Sequence, residues 1–242
     1  IRKLYEPKKF PDAKLLSAFD ASMGSAGWRR AKGKQNGLCA IGLEPNPEHF
    51  DRLQKLQAAY EEHGWHVHFY PFAAWNVEGM MSFNKTTQRP SDIDTKTAAG
   101  AHLMMRLDQE ANQEDSSSQE VRTVNAAEFL NSLPAGSVKL VVMDIEGAEY
   151  ETLAQMMQEN VLCSNTVEKL LLETHGWGDV THWGGPDSFT NGVHPRSFAA
   201  VTERVTQLKG VDWCKPGELS KIEEFDDATY SEDVDDKFAQ WR

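Results

Sequence analysis

Residues 141–153 read VVMDIEGAEYETL, an apolar run that meets Asp144, Glu146 and Glu149. Together with the residues from Val138 it forms the most hydrophobic strand-like segment of the chain. A strand apolar on both faces belongs in a parallel sheet covered on both sides. An acidic residue that ends such a strand lies at the carboxyl edge of the sheet, where open α/β sheets bind their ligands. Gly147 allows a tight turn into a helix over Tyr150 to Met157. Glu149, in its first turn, serves the favourable end of the helix dipole.

Working outward, the same alternation recurs. Lys14 to Phe19 (KLLSAF) reads as a first strand that meets Asp20 and a small-residue loop, ASMGSAG. Leu38 to Leu43 reads as a second strand, stopped sharply by Glu44-Pro45-Asn46-Pro47. Phe50, Leu53, Leu56 and Tyr60 then recur at helical spacing, with Gly64 as terminator. A third strand is expected over Val67 to Ala74. Residues 84–120 are polar and weakly periodic, which marks a flexible excursion, although AHLMMRL within it could pair as a strand. Val121 to Val124 gives a short strand and Ala126 to Leu133 an amphipathic helix. After the central strand at Val138 to Met143, a fifth is expected at Val167 to Leu172, ending in Glu173-Thr174-His175-Gly176. A helix at Ser197 to Leu208 follows. VDWC and KIEEF, separated by Lys215-Pro216-Gly217, read as a closing antiparallel hairpin. The pattern predicts one α/β domain over residues 1–242, with a doubly wound, mostly parallel sheet and an antiparallel edge.

Composition narrows the function. With 40% hydrophobic and 26% charged residues the chain is that of a globular protein, and no run approaches the roughly 18 apolar residues of a membrane-spanning helix. A formal net charge of −12 and a pI near 5.1 argue against a nucleic-acid backbone as partner, because phosphate binding is built on clustered Lys and Arg. A small molecule or a neutral glycan fits better. Cys39, Cys163 and Cys214 are too few and too widely spaced for a thiolate zinc site, and are read as buried thiols, although one bridge plus one free thiol is arithmetically possible. The chain opens with Ile rather than Met, which leaves room for a targeting or anchoring segment upstream and leaves its compartment open. The sequon Asn84-Lys85-Thr86 would accept a glycan in a secretory lumen.

Four strand exits carry distinctive chemistry: Asp20 with its small-residue loop, Glu44, Asp144, and Glu173 with His175. A small-residue loop lets backbone N–H groups approach a ligand, and an acid ending the second strand can accept from two ribose hydroxyls. Together these describe a nucleoside pocket. LEPNPEHFDRL, PFAAWNVEGMMSF, VRTVNAAEFL, VVMDIEGAEYETL and LLLETHG, in that order, resemble the FkbM-type branch of S-adenosylmethionine-dependent methyltransferases over roughly residues 15 to 176. Met143 to Glu149 is the most specific element, and FDDATY, Phe225 to Tyr230, adds a weaker likeness.

The resemblance implies a seven-stranded methyltransferase sheet with S-adenosylmethionine across the ends of its first strands. Asp20, Ser22 and Gly24 would contact the methionine part, Glu44 the ribose, and Phe72 and Ala73 the adenine region. Asp144 and Glu146 would face methyl donor and acceptor. A hydroxyl acceptor also needs its proton removed, by a metal or by a base drawn from Asp144, Glu146, Glu173 and His175. His175 has the intrinsic pKa nearest neutrality. Family members usually carry Gly where this chain has Ser22. The activity expected is O-methylation of a small-molecule or glycan hydroxyl. The alternative is an inactive methyltransferase-like fold that binds or assembles with partner proteins.

Other features carry competing readings. His66 and His68 share one strand face, as a solvated surface or as part of a metal pair with His63 nearby. The stretch HGWGDVTHWGGPDSFTNGVH puts Trp177 and Trp183 where they could stack on an acceptor or pin a loop to the core. The acidic tail lacks the ligand spacing of a calcium loop. A nicotinamide enzyme is disfavoured by the lack of a G-x-G-x-x-G turn after the first strand.

Overall fold

The computed structural model describes residues 2–11, 15–29, 38–84, 102–103, 118–145, 148–173, 214 and 219–224. The chain divides into two compact units, residues 1–38 with 225–242, and residues 39–224.

The first unit is helical where it is described. It contains α1 (Arg2–Tyr5), a 3-10 turn at Pro7–Lys9, α2 (Leu15–Met23) and α3 (Ala26–Arg29). The strand expected over Lys14 to Phe19 is therefore a helix. Leu15, Ala18, Phe19, Ser22 and Met23 are buried or half-buried while Ser17, Asp20 and Ala21 face solvent, the 3.6-residue period of a helix packed on one side. Gly24, at φ +73°, ends α2 in the left-handed conformation that glycine adopts cheaply. The buried Arg29 ties the unit together: Nε donates to the Leu4 carbonyl at 2.9 Å, and Nη1 to Asp20 Oδ1 at 2.8 Å and to the Gly24 carbonyl.

The second unit begins with β1 (Cys39–Leu43), α4 (Pro47–Glu62), β2 (His66–Tyr70) and β3 (Phe72–Trp75). Next come β4 (Gly79–Asn84), β5 (His102–Leu103), β6 (Ser118–Asn125) and α5 (Ala126–Ser132). It continues with β7 (Val141–Met143), α6 (Glu149–Gln158), β8 (Lys169–Leu172) and β9 (Lys221–Glu224). The class is α/β, but among the described residues the strands form sheets of two (β1-β2), four (β3-β6-β4-β5) and three (β7-β8-β9) rather than one doubly wound sheet of seven. Parallel pairing holds for β1-β2, β3-β6, β7-β8 and β8-β9, whereas β4 runs antiparallel to β5 and β6.

Two corrections explain the division. The segment expected as the first strand is helical and contributes nothing to a sheet. The third expected strand, Val67 to Ala74, is two: Pro71 has no N–H for a ladder, and the chain leaves β1 at Tyr70 to pair with β6 from Phe72. Of the expected closing hairpin, only the second arm forms a described strand, β9. β9 pairs parallel with β8, with Leu170 opposite Ile222, and the 48 residues from 173 to 220 leave ample room for the crossover that parallel strands require. Residues 211–213, its expected partner arm, lie outside the described residues, as does the helix expected at 197–208.

Cys163 and Cys214 are not buried thiols but a disulfide, with Cα atoms 5.6 Å apart; Cys39 is a free thiol on the surface. The bridge and an antiparallel contact between Cys163 and Leu219 hold the approach to β9 beside the turn that precedes β8. AHLMMRL does pair in part, through β5 against β4; the surrounding residues 85–101 and 104–117 lie outside the described residues.

The elements follow local chemistry. Asn46 caps α4 by accepting the Glu48 N–H at 3.1 Å, and Asn125 caps α5 by accepting those of Ala127 and Glu128. The main core gathers Leu153, Met156, Leu162, Val167, Leu170 and Leu172 between α6 and β8. Each fully buried Leu there contributes about 1.5–3 kcal/mol. A second cluster joins Ala73, Trp75, Met81, Val121 and Ala148, and Ile145 packs against both. Among the described residues no helix is long and apolar enough to cross a membrane.

Candidate active site

Three of the acids singled out in the sequence, Glu44, Asp144 and Glu173, lie at strand exits of the second unit. At the end of β1, the Glu44 N–H donates to the Tyr70 carbonyl at 3.0 Å, continuing the β1-β2 ladder by one bond. Its carboxylate is held by its own turn: Oε1 accepts the Asn46 N–H at 2.8 Å, and Oε2 lies 3.4 Å from His49 Nδ1. A carboxylate has about four acceptor sites. Glu44, with a third of its side chain exposed, therefore retains capacity for an outside donor.

Beyond Pro71, Tyr70 and Phe72 stack at 6.0 Å with ring planes 8° apart, and the Arg122 guanidinium lies 5.3 Å over the Phe72 ring. Arg122 also pairs with Glu78 at 2.6 Å. The register of β3 on β6, Phe72 opposite Arg122, creates this ladder of planar groups. Ala73 differs from its expected role in one respect: its side chain is buried against Trp75 and Ala148, in the core rather than on an open surface.

At the third exit, Met143 pairs with Leu172, and the Glu173 N–H donates to the Met143 carbonyl at 2.9 Å. Asp144 and Glu173 consequently leave neighbouring parallel strands side by side, both half-buried. Two adjacent carboxylates can hold a proton or orient a hydroxyl between them. Ile145 and Ala148, which flank the turn after Asp144, pack against the cluster around Ala73, and β1 and α6 both contact β3. Thus the β3 layer links the Glu44 and Asp144 exits. Glu149 lies fully buried at the start of α6, and its Oε1 accepts the Ile145 N–H at 3.1 Å.

The remaining candidates are placed differently. Asp20, Ser22 and Gly24 belong to α2 and its terminus in the first unit, where Asp20 pairs with Arg29, so the strand-end argument that nominated them loses its basis. Glu146 and His175 lie outside the described residues, as do Trp177, Trp183 and the acidic tail. His66 and His68 are exposed on one face of β2, and His63 closes α4 with its Nδ1 2.8 Å from the Ala59 carbonyl.

Tyr70, Arg122 and the enclosure of Glu149 were not singled out in the sequence. The period-two spacing of Tyr70 and Phe72 hinted at nothing across Pro71, and Arg122 meets Phe72 only through the strand register. Comparison with curated proteins and with solved structures yields no match. A family profile, the methyltransferase FkbM domain, matches residues 23–192, starting after Asp20 and Ser22 and spanning Glu44, Phe72, Asp144 and Glu173. That match covers more than half of the chain, in the order of the exits just described, and the protein belongs to the FkbM-domain methyltransferase family.

Proposed function

We propose that this chain transfers a methyl group from S-adenosylmethionine to a hydroxyl of a small molecule or glycan. The observation that carries the reading is the paired exit of Asp144 and Glu173, fixed by the Glu173 N–H on the Met143 carbonyl and packed against the layer that leads to Glu44. The nucleoside half of the cofactor fits the residues present. Glu44 offers free acceptor capacity to ribose hydroxyls, and the Tyr70-Phe72-Arg122 ladder offers planar surface beside it. When bound, the cofactor supplies an electrophilic methyl group.

The chain's own residues do the rest. Glu44 and Asp144 hold the donor; Asp144 and Glu173 also orient the acceptor hydroxyl, and one of the two takes its proton as the oxygen attacks in line. Glu146 and His175 extend this acidic and basic set in sequence. Acidic groups suit a neutral acceptor and repel an anionic one.

A second reading has one specific observation in its favour: α2 stands where a first strand and cofactor loop were expected, and the family match starts only at Met23. It makes the chain a binding or assembly module without catalysis. Isothermal titration with S-adenosylhomocysteine separates the two. The enzyme reading expects saturable binding that Glu44→Ala weakens on the order of tenfold or more. No detectable heat at millimolar ligand overturns it and leaves the binding module.

A further inference from the structure

Glu149 opens α6, yet its side chain is 0% exposed. An acid in a helix's first turn gains from the dipole while remaining in water. Complete enclosure is a different matter, since a carboxylate is costly to bury unless hydrogen bonds replace its hydration. Here Oε1 reaches back four residues to the Ile145 N–H at 3.1 Å. The reach resembles the acidic arm of a capping box, except that it grips the strand exit that precedes the helix.

The gripped group matters. The Ile145 N–H belongs to the rigid peptide unit that joins Asp144 to Ile145, so holding it restricts the last backbone torsion of Asp144 and with it the direction in which that side chain leaves β7. The same turn is closed by the Ala148 N–H on the Ile145 carbonyl at 3.2 Å, and the other side of Asp144 is held through the Met143 carbonyl by Glu173. Ile145 is packed against both core clusters, which leaves its own backbone little room to relax into another arrangement.

We infer that Glu149 is a positioning residue for Asp144: its buried carboxylate clamps the Asp144–Ile145 peptide and aims the Asp144 side chain at the methyl-transfer site. This rests on the methyltransferase reading of that site. The clamp itself is a property of the turn that can be read without any ligand.

The test is a double-mutant cycle with an exchange measurement. Affinity for S-adenosylhomocysteine is measured for the parent, Asp144→Asn, Glu149→Ala and the double variant, with folding checked by circular dichroism. Each single change is expected to weaken binding on the order of tenfold, and the double change hardly more than either alone, because the two act as one unit. Glu149→Gln, which keeps an oxygen acceptor, should recover most of the loss. If Glu149→Ala does not fold, Glu149→Asp, whose shorter arm cannot reach the peptide, takes its place in the cycle. In parallel, the Ile145 amide should be protected from hydrogen exchange in the parent and lose that protection selectively in the Glu149 variant. Additive losses in the cycle, or an Ile145 amide unprotected in the parent, overturn the inference. A parent that binds no S-adenosylhomocysteine but keeps a protected Ile145 amide instead overturns the methyltransferase reading and leaves the clamp without Asp144's proposed task.

Discussion

At the scale of single residues, the exits are built from side chains serving their own turns as well as any ligand. Glu44 takes the Asn46 N–H, which in turn leaves Asn46 Oδ1 aimed at the first turn of α4. This much was nearly legible in Glu-Pro-Asn-Pro, since a short polar residue before a proline-opened helix is a cap. Gly42 is different. A Cβ built there would lie 2.7 Å from Phe69 Cδ1, because the β1-β2 register sets the two opposite each other and the Phe69 ring lies over the glycine. Gly42→Ala is therefore expected to cost about 1–3 kcal/mol, despite alanine's usual advantage over glycine in a strand, as read by urea denaturation. Adding Phe69→Leu should return part of that loss. An unchanged midpoint in the single variant would mean that the ring moves freely aside.

At the scale of elements, α6 shows how one helix can be legible in its pattern and hidden in its electrostatics. Tyr150 to Met157 was readable as helical, and Leu153, Met156 and Met157 are buried in the main core. Glu149 was readable as an acid serving the helix dipole, yet both acids of the first turn, Glu149 and Glu151, are enclosed. Burial pushes the Glu151 carboxyl above its ordinary value. The folded protein therefore keeps that proton at pH values where the unfolded chain has lost it. Stability falls as pH rises from the unfolded pKa through the raised folded one, and the deficit persists above both. Glu151→Gln should accordingly stabilise the fold more at about pH 8 than at about pH 4, measured as the difference in denaturation midpoints. An equal gain at both pH values would remove burial of charge as the cause. The helix α2 offers the opposite lesson: its spacing of Leu15, Ala18, Phe19, Ser22 and Met23 was present in the sequence, but the short KLLSAF run reads equally well as a buried strand until its partners are known.

At the scale of the whole molecule, the Cys163–Cys214 bridge closes a loop of 51 residues that includes β8 and the Glu173 exit. Restricting the unfolded chain over such a loop contributes about 4 kcal/mol. Reduction, or Cys163→Ala with Cys214→Ala, should lower the denaturation midpoint correspondingly. A thiol assay on unreduced protein should find one free thiol, Cys39, and after reduction and unfolding all three cysteines. Three thiols without reduction would show the bridge absent. By itself the sequence determined the family, the ordered strand exits at Glu44, Asp144 and Glu173, and the helices α4, α5 and α6 in outline, because apolar periodicity and stop residues are local signals. Only the tertiary structure decided that Pro71 passes the chain from one sheet to another, that β9 joins β8 in parallel, that Phe72 meets Arg122, and that Glu149 turns inward to grip Ile145. Each of these depends on which distant segments come to lie side by side, a choice made by strand register and by the space left in the core, neither of which any short stretch of residues contains.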